Sequence, residues 1–166
     1  MSKVQGFPPI DNPRARVLVL GTMPSPASLR ANQYYGHPQN LFWPIAGRVL
    51  GFDPALSYEQ RVARVRKAGV AIWDVLQTCV RPGALDSAID DASVVANDFA
   101  SFFAAHPRLQ RVIFNGAKAE QLFHRHVLPG LKTPPPVEWL RLPSTSPANA
   151  SIRLEAKLLA WQALIV

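Results

Sequence analysis

The residues able to do chemistry gather in a few short stretches of the chain. Gly21 to Gly47, GTMPSPASLRANQYYGHPQNLFWPIAG, holds two tyrosines, His37, several carboxamides and four prolines. A connection of this length is as a rule functional or disordered, and its aromatic content argues against disorder. Stiff, aromatic and rich in amides, it suits a planar ligand. Downstream, Ser144, Thr145 and Ser146 offer hydroxyls and backbone donors next to a helix N-terminus, a natural grip for phosphates. Asp74 and Asn115 each close an apolar run, one side chain able to accept hydrogen bonds and the other able both to donate and to accept. Plain structural roles stand beside these readings: Asp74 as a strand-end cap, Asn115 as a turn residue before Gly116, Asn40 as a helix N-cap, Tyr35 as an ordinary packed ring.

Other chemistries are excluded by what the sequence lacks. A single cysteine, Cys79, cannot form an intrachain disulfide, a four-thiolate iron-sulfur cluster or a zinc knuckle. His37, His106, His124 and His126 make no metal set, since the pair at 124 and 126 points to opposite sides of a helix with no carboxylate or thiolate at ligand spacing. Neither G-x-G-x-x-G nor G-x-x-x-x-G-K occurs. Lys118 has nothing near it in sequence to depress its pKa, which makes it a poor Schiff-base residue. Neither a metal nor a nucleotide cofactor is expected.

The elements that must position these residues are legible from apolar patterning. Arg16 to Leu20, Val70 to Trp73, Arg111 to Phe114 and Val137 to Leu142 read as four buried strands separated by long intervals. The intervals read as helices. Ser57 and Gln60 have capping-box spacing ahead of a helix that Gly69 would end. Asp91 or Ser93 would open the next, with Val95, Phe99, Phe102 and Phe103 as its core stripe; Ala117 to Val127 forms another, and Ser151 would cap Ile152 to Leu164. Pro44 is tolerated only near a helix start, which places one at about Asn40. Alternating strands and helices imply a three-layer α/β/α domain around a four-stranded, mainly parallel sheet, read as one domain over residues 1–166. In such sheets ligands bind outside the carboxyl ends of the strands, where Gly21, Thr22, Met23, Asp74, Asn115 and Ser144 to Ser146 lie.

Composition bounds the partners. Of 166 residues 48% are hydrophobic, enough for one sizeable core, and 18 Lys plus Arg against 11 Asp plus Glu leave +7, which favours a polyanion such as nucleic acid. Arg61, Arg64, Arg66 and Lys67 are read as a solvated helix face. With no apolar signal run before Pro13 and no membrane-length segment, a cytoplasmic protein that does not enter membranes is expected.

Gly21-Thr22-Met23-Pro24, Tyr34-Tyr35-Gly36-His37-Pro38-Gln39-Asn40-Leu41-Phe42-Trp43 and Leu142-Pro143-Ser144-Thr145-Ser146-Pro147 together resemble the uracil-DNA glycosylase superfamily, most closely its hypoxanthine-DNA glycosylases. The likeness runs from about Val17 to the final helix. It implies base flipping and hydrolysis of the bond between a deaminated base and deoxyribose, with DNA containing such bases as partner. The mismatch-uracil members carry an Asn where Met23 stands here, and Met cannot orient a water. The resemblance instead assigns the catalytic amide to Asn40, which can place the attacking water but not deprotonate it. The state it must reach is oxocarbenium-like, so placement matters more than basicity. Gly21, Thr22 and Met23 are expected to aim backbone donors at the departing base.

The resemblance places Tyr35 under the flipped base. Hypoxanthine and uracil share an imino N–H beside a carbonyl; Asn115 can meet both groups, whereas an ionised Asp74 accepts the proton but repels the carbonyl. Which of the two reads the base stays open. Ser144, Thr145 and Ser146 are expected on the flanking phosphates, though the small Pro147 and Ala148 supply no wedge for the vacated stack. The expected protein is a monomeric, monofunctional glycosylase for hypoxanthine first and uracil second. The rivals are a mismatch-type uracil-DNA glycosylase and a noncatalytic nucleotide-binding α/β module.

Overall fold

The apolar runs of the sequence become the strands of one parallel sheet. In the computed structural model, which describes residues 3–166, the chain runs β1 (Lys3–Gln5), β2 (Val17–Gly21), α1 (Pro26–Ala31), α2 (Phe42–Leu50), α3 (Tyr58–Lys67), β3 (Val70–Asp74), β4 (Leu76–Val80), β5 (Val95–Ala96), α4 (Phe99–Ala105), β6 (Arg111–Asn115), α5 (Ala117–His126), β7 (Glu138–Leu142) and α6 (Leu154–Ala160). Strands β3, β2, β6 and β7 lie side by side in that order, all parallel. Their register sets Gly21 beside Asp74 and Asn115 beside Leu142, so the four carboxyl ends finish along one edge.

Alternation along these strands splits the interior into two cores, because successive side chains point to opposite faces. Leu18, Leu20, Trp73, Val112 and Phe114 face α4 and α5 through Phe99, Phe102, Leu122 and Phe123. Val17, Val19, Ile72 and Ile113 face α2 and α3 through Phe42, Ile45, Val62 and Val65, with Trp161 and Leu164 closing that side. The capping box at α3 forms as its spacing predicts, the Ser57 and Gln60 side chains each meeting the other's backbone N–H.

Several expectations are corrected. A second, antiparallel sheet of β1, β4 and β5 flanks the first; its strands are short and partly exposed, so they lack the apolar run that marks the parallel ones. Val95 belongs to β5 and is 46% exposed, so it is no part of the core stripe; α4 starts later, behind the Asp98 side chain, which accepts from Ser101 N. The last helix begins at Leu154 with no side-chain cap, and Ser151 lies before it in a turn. Helix α2 begins at Phe42, two residues beyond Asn40, whose side chain nevertheless accepts from Phe42 N. None of the described helices is long and apolar enough to cross a membrane.

Candidate active site

A cleft of about 680 Å³ opens along the carboxyl edge of the parallel sheet. Gly21, Thr22 and Met23 from the end of β2, Asp74 from β3, Asn115 from β6, and Ser144, Thr145 and Ser146 after β7 all line it, together with Tyr35 and Asn40 from the long connection. The residues singled out as candidates from the sequence are thus brought to one place. Their chemical states differ.

Tyr34 and Tyr35 are adjacent yet do opposite jobs. Tyr34 is an anchor: its hydroxyl donates to the Pro8 carbonyl at 2.9 Å, its N–H to the Tyr58 hydroxyl, and its carbonyl accepts from the Trp43 indole at 2.8 Å. Tyr35 then takes the left-handed conformation, φ +54°, which costs a non-glycine residue about 1 kcal/mol or more. That turn swings its ring onto the ring of Phe42, centroids 4.4 Å apart, at the cleft wall. Its hydroxyl is buried and makes no well-formed hydrogen bond, and burial together with the nearby Asp74 drives its pKa far above the usual phenol value against the opposing pull of the Asn115 side chain.

Asp74 is 3% exposed, and its Oδ2 likewise has no hydrogen-bond partner. Burial first, and then the charge of Asp86, push its pKa from 3.8 up to about 7, against the opposing pull of Arg81. Its neutral form is therefore available near neutral pH, which removes the repulsion toward a carbonyl expected of an ionised side chain. Both side chains crowd Gly21: a Cβ there would lie 2.6 Å from Asp74 Oδ1, the other carboxyl oxygen, and 3.0 Å from the Tyr35 hydroxyl. Only glycine lets both side chains approach the turn.

The turn itself is fixed by carbonyls. Gly21 O accepts from Val75 N at 2.9 Å and Thr22 O from Leu76 N at 3.2 Å, while the amides of Thr22 and Met23 donate to no described protein group. Both residues line the cleft. The Met23 side chain is buried in the core and brings no polar group to the site.

Asn115 behaves differently from Asp74. Its Nδ2 donates to Thr145 Oγ1 at 3.0 Å and its Oδ1 accepts from Thr145 N at 2.9 Å, so its carboxamide is held by Thr145, with one N–H and one lone pair left over. Thr145 is fully buried, and its carbonyl accepts from Leu41 N at 3.0 Å. Its N–H, carbonyl and hydroxyl oxygen are all engaged internally, and complete burial speaks against a phosphate contact from its side chain. Ser144 and Ser146 are half-buried at the rim; Ser144 Oγ accepts from Ser146 N, and Ser146 Oγ accepts from Ala148 N. Both hydroxyl protons remain to be donated. Ser144 also explains Gly116, where φ is +96° and a Cβ would stand 3.0 Å from the serine Cβ.

Asn40 is half-buried on the cleft wall, with Oδ1 accepting from Phe42 N at 2.9 Å. One lone pair is used in starting α2 and the other is left, so capping and ligand contact coexist. Sequence reasoning missed Ala84 to Ser87, which also line the cleft. Their one signal was Leu85, an apolar residue in an otherwise small and polar stretch. Among the described residues, no three His, Cys, Asp or Glu side chains come together as a metal-binding group.

Comparison with known proteins agrees with this geometry. The profile of the Uracil DNA glycosylase superfamily matches residues 8–165. A hypoxanthine DNA glycosylase of Methanosarcina barkeri is 36% identical over 118 residues, covering 70% of this chain and 73% of the relative. Another of that name, from Methanosarcina acetivorans, is 34% identical over 146 residues, 87% of each chain. A solution NMR structure from Methanosarcina acetivorans, provisionally assigned as a uracil DNA glycosylase, superposes with a TM-score of 0.80 at 30% identity over 98% of this chain and 99% of that one. With the match spanning nearly every residue and the cleft lying at the carboxyl edge of the sheet, the chain belongs to the uracil DNA glycosylase superfamily.

Proposed function

We propose that the chain is a monofunctional DNA glycosylase that removes deaminated bases, hypoxanthine first and uracil second, and that it does so without metal or nucleotide cofactor. The observation that carries the reading is that Asp74 and Tyr35, each with a buried oxygen that has no hydrogen-bond partner, meet beside Gly21 in the wall of the cleft. Buried polar atoms without partners are rare in folded proteins and are accounted for here by a ligand.

A flipped base stacks on the ring face of Tyr35 that Phe42 leaves free, a contact worth about 1 to 3 kcal/mol. Asp74, neutral, donates its O–H to the base carbonyl and accepts the imino N–H on its other oxygen. The Asn40 amide oxygen holds the water. In the reaction the water oxygen bonds to C1′ as the bond from C1′ to the base nitrogen breaks; the base leaves with the electron pair, and the water's proton passes to the base or to solvent. The free amides of Thr22 and Met23 stabilise the negative charge as it grows on the base. Ser144 and Ser146 hold flanking phosphates. Lys118 has no role in bond breaking, so strand scission falls to another enzyme.

The test is an assay on labelled oligonucleotides with inosine or uracil opposite each base, treated with alkali after incubation. Alkali-labile breaks at inosine are expected to exceed those at uracil. Absence of breaks at both, with purified folded protein, overturns the reading.

A further inference from the structure

The last helix of the chain turns its polarity inside out. In α6, Leu154 and Leu159 are 41% and 77% exposed, while Lys157 is 1% exposed. An amphipathic helix does the reverse, with apolar residues inward and lysine at the surface. Lys157, Trp161 and Leu164 follow one another at i, i+4 and i+7 and are all buried, so the lysine occupies a core position of α6 and the turn of 3-10 helix, Trp161–Leu164, that continues it. A local rule broken in this way marks a place where function is served before stability.

The buried face of this helix holds the loop that leaves β7. Lys157 Nζ donates to Asn149 O at 2.9 Å, and one turn on the Trp161 indole donates to Pro143 O at 3.0 Å. The two side chains thus fix both ends of the segment that carries Ser144, Thr145 and Ser146. Within it, Asn149 N donates to Ser146 O at 3.0 Å and Asn149 Nδ2 to Ser144 O at 3.2 Å, so the residue that Lys157 grips braces both serines at the cleft. Trp161 does its part with a neutral N–H. Lys157 does so with a charge that enters no ion pair among the described residues, and burial lowers its pKa unopposed by any neighbouring charge. A buried, unpaired charge is unfavourable to the fold. A neutral amide would hold the Asn149 carbonyl with less loss, so the ammonium answers something that the free protein lacks.

We propose that Lys157 is a positioning residue for DNA binding: its ammonium fixes Asn149 and through it Ser144 and Ser146, and its unpaired charge is answered by the DNA phosphate that the two serines receive. A cation set behind the loop, out of water, is screened less by solvent and salt than one at the surface. The inference rests on the glycosylase reading above, in which those serines hold flanking phosphates, and deepens it by placing a cation beneath them.

The experiment compares wild type with Lys157→Gln, which keeps an N–H donor and loses the charge, and with Lys157→Met, which loses both. Melting temperatures, affinities for plain and inosine-containing duplex across a salt series, and single-turnover rates at saturating enzyme are measured. Lys157→Gln should melt at or above the wild-type temperature, because a buried charge is gone. It should nevertheless bind both duplexes about tenfold more weakly at low salt, with a plot of log affinity against log salt shallower by up to about 0.9, the share of one neutralised phosphate. Its saturated rate should stay within about threefold of wild type, since the loss is in binding and not in the chemical step. Lys157→Met should lose at least as much affinity. Wild-type affinity and slope in Lys157→Gln overturn the proposal, and so does a lowered melting temperature with affinity intact below the transition, or misfolding of both variants, since each makes the residue a support of the fold alone. A wild-type protein that grips duplex but cuts at neither inosine nor uracil overturns the glycosylase reading, while the binding comparison still decides the role of Lys157.

Discussion

At the carboxyl end of β6, Asn115 and Thr145 join in two hydrogen bonds, and the Thr145 carbonyl accepts a third from Leu41 N. At the end of β3 in the same sheet, Asp74 is buried with Oδ2 unpartnered and Tyr35 presents an unpartnered hydroxyl beside it. Both ends look alike in sequence, a polar residue closing an apolar strand, yet one network is closed and the other open. A closed network holds the β7 exit loop onto the start of α2. An open one stores unfavourable free energy that a ligand can recover, since unmatched buried polar groups cost about 1 to 3 kcal/mol each.

Asn40, on the wall of the same cleft, carries the largest expected effect. Asn40→Ala should lower the single-turnover rate on inosine DNA by about 10²-fold or more, because a misplaced nucleophile forfeits its proximity advantage. Binding to the same DNA should change little, and thermal stability should fall by only about 1 kcal/mol, the worth of the contact to Phe42 N. Rates measured beside melting temperatures check this; a variant that cuts at wild-type rate removes Asn40 from the chemistry.

Breaking each network in turn tests the contrast directly. Asn115→Ala should cost about 1 to 3 kcal/mol of stability, with activity recovering once the temperature is lowered, because it strands the amide and hydroxyl of Thr145. Asp74→Asn should do the reverse. A carboxyl raised from 3.8 to about 7 on folding makes the protein less stable as pH climbs through that window, since the unfolded chain releases the proton more readily. The amide has no such penalty, so the variant should be more stable than wild type at pH 8 by a few kcal/mol and retain partial activity. Equal stability of the two proteins at pH 8 would mean that Asp74 is partnered in solution.

Activity should follow the same titration with its sign fixed by the neutral acid. The wild-type rate on inosine should fall with rising pH above about 7, by up to about tenfold per unit, as the donor to the base carbonyl is lost and a negative charge appears beside a leaving anion. Groups facing Asp74 set where the fall begins: Asp86 raises its pKa and Arg81 lowers it. Asp86→Asn should therefore shift the fall to lower pH, and Asp74→Asn should flatten it. A fall unchanged in Asp74→Asn would assign it to another group.

How much of this was legible in the sequence follows from the same contrast. The parallel strands were visible because burial on both faces demands unbroken apolar runs, and the carboxyl edge followed from topology. The antiparallel sheet was not, since Lys3–Gln5 and Val95–Ala96 are too short and too exposed to leave a pattern. The positions of Asp74, Asn115 and Thr145 were legible; which of them had partners was not, because that depends on residues 30 apart meeting across a loop. That Ala84 to Ser87 line the cleft was hidden, because a small and polar loop carries no pattern until its place in the fold is known.

The smallest expected effect separates the open rim from the closed network within three consecutive residues. Ser144 and Ser146 accept from neighbouring amides and keep hydroxyl protons for a phosphate, whereas Thr145 beneath them is sealed. Replacing both serines with alanine should weaken binding to damaged and undamaged duplex alike, by about 1 kcal/mol per lost contact, because phosphate contacts position the DNA without reading it. The salt dependence of binding should keep its slope, since neither hydroxyl carries a charge that displaces counterions. Thr145→Val should behave otherwise: it strands Asn115 Nδ2, lowers the melting temperature and leaves DNA affinity intact at temperatures where the protein is folded. Titrations of both variants against plain and inosine-containing duplexes at two salt concentrations distinguish them. A loss confined to inosine sites in the serine variant would move Ser144 and Ser146 from the phosphates to the base, and a loss of affinity in folded Thr145→Val would mean that the closed network opens when DNA binds.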